Sequence, residues 1–209
     1  MPGTVREAGL NFGEHFLRWF SCCVVRLVHR PKLYGPKPVL DEPTIFACRH
    51  VGLMDPVMLM VVYSRMMVRP LIAKDYYSKN RFTRWFYHLA QCIPLDRYGT
   101  SKQWIEDAMA SLARGESVII FPEGKRNKTG EGLLPFHNGV ALLAERSGAR
   151  IVPVYNAVWH FPRRYQLAIG EPYYLETPRD GVRNSDWLNK QTQIIQDSVA
   201  ALAPKLENK

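Results

Sequence analysis

The chain has 209 residues, 46% hydrophobic and 22% charged, and its 28 Lys and Arg against 19 Asp and Glu give a net charge of +9. This composition excludes disordered, collagen-like and coiled-coil chains and is typical of a globular protein. The four cysteines form no C-x-x-C pair, and no histidine stands at zinc-finger spacing. The sequence therefore predicts neither a structural zinc site nor a disulfide framework.

The first predicted element is a helix over Phe12–His29 with two unlike faces. Arg18 and Arg26 lie on a basic face, opposite an apolar stripe. That stripe comprises Phe16, Leu17, Phe20, Cys23, Val24, Leu27 and Val28. Two interpretations are open: the stripe packs on the protein's own core, or the helix lies on a membrane surface with its arginines near anionic headgroups. No stretch of the sequence predicts a membrane-spanning helix or a secretory signal.

Residues 31–43 contain four prolines and predict a linker or loop. Beyond them, short apolar runs alternate with helical periodicity, which indicates an α/β fold. Strands are predicted at Thr44–Cys48, Val68–Ala73, Cys92–Leu95, Ser117–Phe121 and Ile151–Tyr155. Helices are predicted at Pro56–Arg65, Arg81–Ala90, Thr100–Arg114 and His137–Ser147, the third capped by Thr100 or Ser101.

After Pro162 the pattern changes. Tyr165–Ile169 and Tyr173–Leu175, separated by Gly-Glu-Pro, predict a hairpin or a pair of edge strands. Ser185–Leu202 predicts a closing helix. We expect a single domain over residues 44–209, with a mixed, largely parallel sheet flanked by helices, and a preceding unit over residues 1–43 formed by the amphipathic helix and the linker.

Two ionisable residues follow the first main strand, at a strand-to-helix corner where open α/β sheets tend to place their sites. His50 comes two residues after that strand, and Asp55 precedes Pro56, a residue favoured at a helix start. Asp55 is therefore also explained as a helix cap. On a continuous helix the His50 and Asp55 side chains would lie about 140° apart, so their contact requires a turn before Pro56, which Gly52 makes easy.

A second group of charges follows the strand Ser117–Phe121. It contains Glu123 and three cations, Lys125, Arg126 and Lys128. A solvated basic loop would explain this composition, and so would an anion site. Gly124 lets the backbone approach a ligand, and Arg126 offers a planar fork that matches phosphate, which favours the anion site.

Together these segments resemble the glycerolipid acyltransferase family, which includes the lysophosphatidic acid acyltransferases. His50 and Asp55 match the family's H-x4-D motif. Residues 121–126 match its F-P-E-G-T-R motif, with Lys125 in place of threonine. Further blocks are similar in the family's order, at residues 92–97, 134–139 and 151–154. The resemblance covers roughly residues 44–156 and implies that residues 44–209 form an acyltransferase catalytic domain.

The resemblance implies transfer of a fatty acyl group from an acyl-CoA or acyl-carrier-protein thioester to the hydroxyl of a lysophosphatidate-like acceptor, making phosphatidic acid. His50 is then expected to be the general base, and Asp55 to fix its tautomer and stabilise the imidazolium. The implied substrate-binding residues are Lys74, Arg97, Glu123, Gly124 and Arg126, with Arg126 on the acceptor phosphate. No cofactor or metal is implied.

The positive charge suits anionic partners: the acceptor, the acyl donor and a membrane surface, on whose cytoplasmic face we expect a peripheral protein. Nucleic acid is not an expected partner, because the cations are scattered and no nucleic-acid motif is present. Three alternatives stay open: an acceptor such as glycerol 3-phosphate or a lyso-aminolipid, a non-catalytic membrane-surface binding protein, and a covalent route through Cys48. Cys48 lies in an apolar run and is expected to pack as a small hydrophobe.

Overall fold

The computed structural model describes residues 12–39, 41–77, 80–96, 102–160, 163–176 and 184–207. Within these ranges the strands are β1 (Lys32–Tyr34), β2 (Thr44–Cys48), β3 (Val68–Ala73), β4 (Ile93–Leu95), β5 (Ser117–Ile120), β6 (Arg150–Asn156) and β7 (Gln166–Ile169). The helices are α1 (Phe12–His29), α2 (Asp55–Val62), α3 (Lys74–Tyr77), α4 (Arg81–Leu89), α5 (Gln103–Ala113), α6 (Gly139–Ser147), α7 (Ser185–Ala200) and α8 (Pro204–Glu207).

The described strands form one seven-stranded sheet in the order β1-β7-β6-β2-β5-β3-β4. Neighbouring strands are parallel except β6 and β7, which are antiparallel. Every residue of β2, β5 and β6 is buried, as expected for strands covered on both faces. The predicted fold class, a mixed and largely parallel sheet flanked by helices, is confirmed.

The central strand β2 shows how the two faces of the sheet are filled. Because successive side chains point to opposite faces, Ile45 and Ala47 join a core that includes residues of α5, α6 and α7. Phe46 and Cys48 join a second core with residues of α2. The sheet is thus sandwiched between helices, and the connecting loops lie at the ends of its strands.

The structure differs from the predicted strand pairing after Pro162 and adds a strand near the N-terminal end. Tyr165–Ile169 and Tyr173–Leu175 do not form a hairpin: β7 pairs with β6 and β1, and Tyr173 bridges to Ile151 in β6. The segment 31–43 is more than a linker, because it contains β1, which adds to the sheet edge by pairing with β7. The predicted cap residues Thr100 and Ser101 lie outside the described residues.

Helix α1 packs on the domain with its polar face. Arg18 is half-buried and its Nη1 donates to the sulfur of Met67 at 2.7 Å, while Phe16 and Phe20 of the apolar stripe are more than half exposed. Burial lowers the pKa of the Arg18 guanidinium. The interpretation that the stripe packs on the protein's own core is therefore wrong, and so is the placement of Arg18 towards a membrane. None of the helices in the described ranges has the length and apolar character to cross a bilayer.

Candidate active site

The carboxyl ends of β2 and β5 meet at one edge of the sheet, because these strands are parallel neighbours. His50 follows β2 and the segment 121–130 follows β5, so both sequence motifs arrive at the same place. A backbone hydrogen bond joins the two segments, because the Asn127 N–H donates to the His50 carbonyl at 2.7 Å. This edge, where loops leave the carboxyl ends of parallel strands, is where α/β sheets bind ligands.

The turn expected before Pro56 is present and brings His50 to Asp55. Nδ1 of His50 lies 2.8 Å from Oδ2 of Asp55, and the backbone N–H groups of Val51 and Gly52 donate to the same oxygen at 2.7 and 2.8 Å. Asp55 does not cap α2, because its carboxylate points back to the preceding turn and the helix has no side-chain cap. This geometry suits an Nδ1–H donor facing the carboxylate, an arrangement that leaves the lone pair on Nε2.

Tyr165, which no sequence motif indicates, also contacts this carboxylate. The Tyr165 hydroxyl donates to Oδ1 of Asp55 at 2.7 Å, and Tyr165 is only 1% exposed. Burial, and then the negative charge of Asp55, raise the pKa of this hydroxyl well above its usual range, so it remains a donor. The buried carboxylate therefore has hydrogen-bond donors on both oxygens.

The His50 ring borders a cavity of about 730 Å³. The ring is 19% exposed and stacks on Phe121 at a centroid distance of 4.2 Å. Three cations, Lys125, Arg126 and Lys128, line the cavity, and no acidic residue of the described chain does. Much of the remaining wall is apolar and comes from α2, β3 and α4. The cavity thus joins a proton acceptor, a cationic region and space for hydrocarbon.

The loop that carries Arg126 requires glycine at position 124. Gly124 has a φ of +66° and its N–H donates to the Phe121 carbonyl at 3.0 Å in a tight turn. A side chain at this position would meet the ring of His137 at 2.9 Å. The turn therefore places Gly124 and Arg126 on the cavity wall next to His50.

Comparison with known proteins agrees with this geometry. The family model described as Acyltransferase matches residues 30–157, more than half of the chain. The chain belongs to the Acyltransferase family. This confirms the resemblance inferred from the H-x4-D and F-P-E-G segments.

Three individual proteins are similar to this member of the Acyltransferase family. A 1-acyl-sn-glycerol-3-phosphate acyltransferase of Cocos nucifera is 28% identical over 76% of this chain and 52% of its own length. The chloroplastic enzyme BAT2 of Brassica napus, with the same activity in its name, is 28% identical over 56% of this chain and 33% of its own length. The crystal structure of the 1-acyl-sn-glycerophosphate acyltransferase PlsC from Thermotoga maritima shares the fold, with a TM-score of 0.60, 20% identity, and coverage of 93% of this chain and 84% of that chain. The chain spans between about a third and about half of the length of the curated relatives it matches.

Glu123 of the family motif faces away from the cavity. It is 1% exposed, and its two oxygens accept the backbone N–H groups of His50 at 2.7 Å and Leu134 at 3.0 Å. Burial raises the pKa of this carboxyl, an effect opposed by the two backbone hydrogen bonds. Glu123 therefore holds the His50 backbone in place. It is not among the described residues that line the cavity, although it was predicted to contact the acceptor there.

The other predicted binding residues differ in their positions. Gly124 and Arg126 line the cavity together with His50. Lys74 is exposed at the start of α3 and is not part of the described cavity wall, although its neighbour Ala73 is. Arg97 lies outside the described residues.

Cys48 does not have the surroundings of a nucleophile. It is 1% exposed, its thiol donates to the Phe46 carbonyl at 3.6 Å, and burial raises its pKa well above the usual range. A reactive cysteine needs a stabilised thiolate and access to substrate, and Cys48 has neither. It packs in the core, as the sequence suggested.

Arg49, the residue before His50, holds the loop at residues 130–132 and the end of β6 through hydrogen bonds. Its guanidinium donates to the Gly132 carbonyl at 2.9 Å, to the Asn156 carbonyl at 3.0 Å and to the Gly130 carbonyl, and lies over the Tyr155 ring. The Asn156 amide in turn donates to the Arg49 carbonyl at 2.7 Å. No motif or periodicity in the sequence indicates this network. No cluster of three or more His, Cys, Asp or Glu suited to a metal ion occurs in the described ranges.

Proposed function

We propose that this protein transfers a fatty acyl group from an acyl-CoA or acyl-carrier-protein thioester to the free hydroxyl of a lysophosphatidate-like acceptor and so makes phosphatidic acid. One observation carries the proposal: the ring of His50, paired with Asp55, opens into the same cavity as Arg126 and an apolar wall. The cavity therefore suits a molecule with an anionic headgroup, a reactive hydroxyl and a hydrocarbon chain. The names of the similar proteins from Cocos nucifera and Brassica napus agree with this substrate class.

The reaction needs one base and no covalent acyl-enzyme. Nε2 of His50 takes the proton of the acceptor hydroxyl as its oxygen attacks the thioester carbonyl carbon. The tetrahedral intermediate then collapses with cleavage of the carbon–sulfur bond, and the imidazolium returns the proton to the leaving thiolate. Asp55 keeps the Nδ1 proton in place and stabilises the imidazolium through its charge. Glu123 holds the His50 backbone against the segment 121–130 that follows β5.

The substrate class is tested by an acceptor panel with an Arg126→Ala variant. Wild type is expected to use lysophosphatidate in preference to glycerol 3-phosphate and to zwitterionic lysolipids, with acyl-CoA and acyl-carrier donors assayed side by side. Loss of the guanidinium fork removes charged hydrogen bonds of about 1.5 to 3 kcal/mol, so KM for lysophosphatidate should rise roughly 10- to 150-fold. The exposed Lys190 on α7 provides a Lys190→Ala control for the loss of one positive charge. An unchanged KM in the Arg126 variant, or a preference for a zwitterionic acceptor, would contradict the assignment.

We also propose that the protein works on a membrane surface that it meets through α1 and α4. The exposed side of α1 carries Phe16 and Phe20, and α4 adds Phe82, Trp85 and Phe86, all more than two fifths exposed. The two helices are joined by a contact of 3.6 Å between Glu14 and His88. Phe86 also lines the cavity, so the apolar surface continues into the site. A lipid chain could then move from the membrane to the cavity without crossing water.

Replacing Phe16 and Phe20 with serine is expected to weaken binding to phosphatidylglycerol vesicles by at least about tenfold, because each ring loses its burial in lipid. Binding should be measured by co-sedimentation at low and high salt, since attraction of a +9 protein to anionic lipid is screened by salt. Ile194→Ser on α7, which also changes an exposed apolar side chain, is the matched control. Equal sedimentation of the double variant and this control would remove α1 from the docking surface.

A further inference from the structure

The Asp55 carboxylate is crowded on one oxygen and held by a single side chain on the other. Oδ2 accepts from Nδ1 of His50 and from two backbone N–H groups, whereas Oδ1 accepts from the Tyr165 hydroxyl. The carboxylate side chain is fully buried, so water does not replace a lost donor on Oδ1. Tyr165 therefore fixes the Oδ1 end of the carboxylate, while His50 and two backbone N–H groups hold the Oδ2 end.

Tyr165 is itself fixed by its backbone. Its N–H donates to the His29 carbonyl at the end of α1 at 3.2 Å, and its carbonyl accepts from the Lys32 N–H at the start of β1 at 2.7 Å. Its ring lies 6.2 Å from the Trp159 ring. Because backbone hydrogen bonds hold Tyr165 at both its N–H and its carbonyl, its hydroxyl is preorganised to donate to Oδ1 of Asp55.

We propose that Tyr165 is a positioning residue for acyl transfer: its hydroxyl holds the Asp55 carboxylate in the rotation in which Oδ2 faces Nδ1 of His50. The inference rests on the proposed role of His50 as the base. Tyr165 is not part of the described cavity wall, so it acts through Asp55 and does not touch substrate. It extends the His50–Asp55 pair to a chain of three side chains that spans residues far apart in sequence.

Tyr165→Phe removes the hydroxyl and keeps the ring. Oδ1 is then buried without a partner, the carboxylate turns, and the Nδ1-protonated tautomer of His50 is no longer the dominant one. We expect kcat to fall on the order of tenfold with little change in KM for the acceptor, because the cavity wall is untouched.

Tyr63 offers a matched control. It is 4% exposed, and its hydroxyl has no hydrogen-bond partner within the described part of the chain. Tyr63→Phe makes the same change to a buried tyrosine and should leave kcat and the tautomer of His50 as in wild type.

Two measurements separate positioning from a structural role. In an Asp55→Ala background, Tyr165→Phe should change kcat by less than about twofold, because a residue that acts through the carboxylate has nothing left to position. Nitrogen NMR of labelled His50 should show the Nδ1-protonated tautomer in wild type and a mixture in Tyr165→Phe. An equal loss of kcat in both backgrounds, or a His50 spectrum that does not change, would overturn the proposal. The spectrum tests it even if the activity itself is misassigned.

Discussion

Replacement of His50 by alanine is expected to lower kcat for acyl transfer roughly 10²- to 10⁴-fold, the range for loss of a general base. The acceptor hydroxyl then has no proton acceptor among the described residues of the cavity wall, where His50 is the sole histidine and no carboxylate is present. KM for the acceptor should change little, because Arg126 and the apolar wall remain. Single-turnover rates with lysophosphatidate and acyl-CoA would measure the effect.

Two variants show whether the loss is specific. His15→Ala removes an exposed histidine of α1 and should keep full activity. Cys48→Ala should also keep most of the activity under direct attack by the acceptor. Full activity of His50→Ala, or an inactive but folded Cys48→Ala, would instead point to another base or to the covalent route.

Asp55→Asn is expected to reduce kcat on the order of 10²- to 10⁴-fold while the fold is kept. The amide oxygen can replace Oδ2 and accept from Val51, Gly52 and His50, and the amide nitrogen can donate to the Tyr165 hydroxyl. The negative charge is lost, however, so the imidazolium formed during transfer is no longer stabilised. Steady-state kinetics together with thermal unfolding would distinguish lost chemistry from lost folding.

Asp186→Asn provides the comparison for this variant, because it removes an acidic charge from the first turn of α7. It should leave kcat unchanged. If Asp55→Asn stayed within about threefold of wild type, the carboxylate would not be needed to stabilise the imidazolium, and the mechanism proposed for the His50–Asp55 pair would be wrong.

Local patterns predicted most elements of the fold because each depends on nearby residues. Apolar runs predicted β2, β3, β5 and β6, and helical periodicity predicted α5 and α7. The hairpin at residues 165–175 was wrong because strand pairing is not local: β7 finds its partners in β1 and β6. Turn residues between two short apolar runs do not reveal a strand that lies far away in the sequence.

The candidate site shows the same division. The motifs located His50, Asp55, Gly124 and Arg126, which stand at strand ends that a parallel sheet brings together. They did not reveal that Glu123 bonds a backbone group 73 residues away, or that Tyr165 reaches Asp55 across 110 residues. Such hydrogen bonds leave no periodic signal in the sequence. Periodicity likewise predicted two faces on α1 without indicating which one packs on the domain.

The pairing of β1 with β7 has a consequence for how the chain is made. Lys32 lies opposite Gln166 in the sheet, so β1 cannot join its neighbour until the ribosome has synthesised more than a hundred further residues. During that time the aromatic side of α1 precedes an unfinished domain and is available for association with other molecules. A lipid surface close to the ribosome would then be able to bind the aromatic side of α1 before β1 pairs with β7.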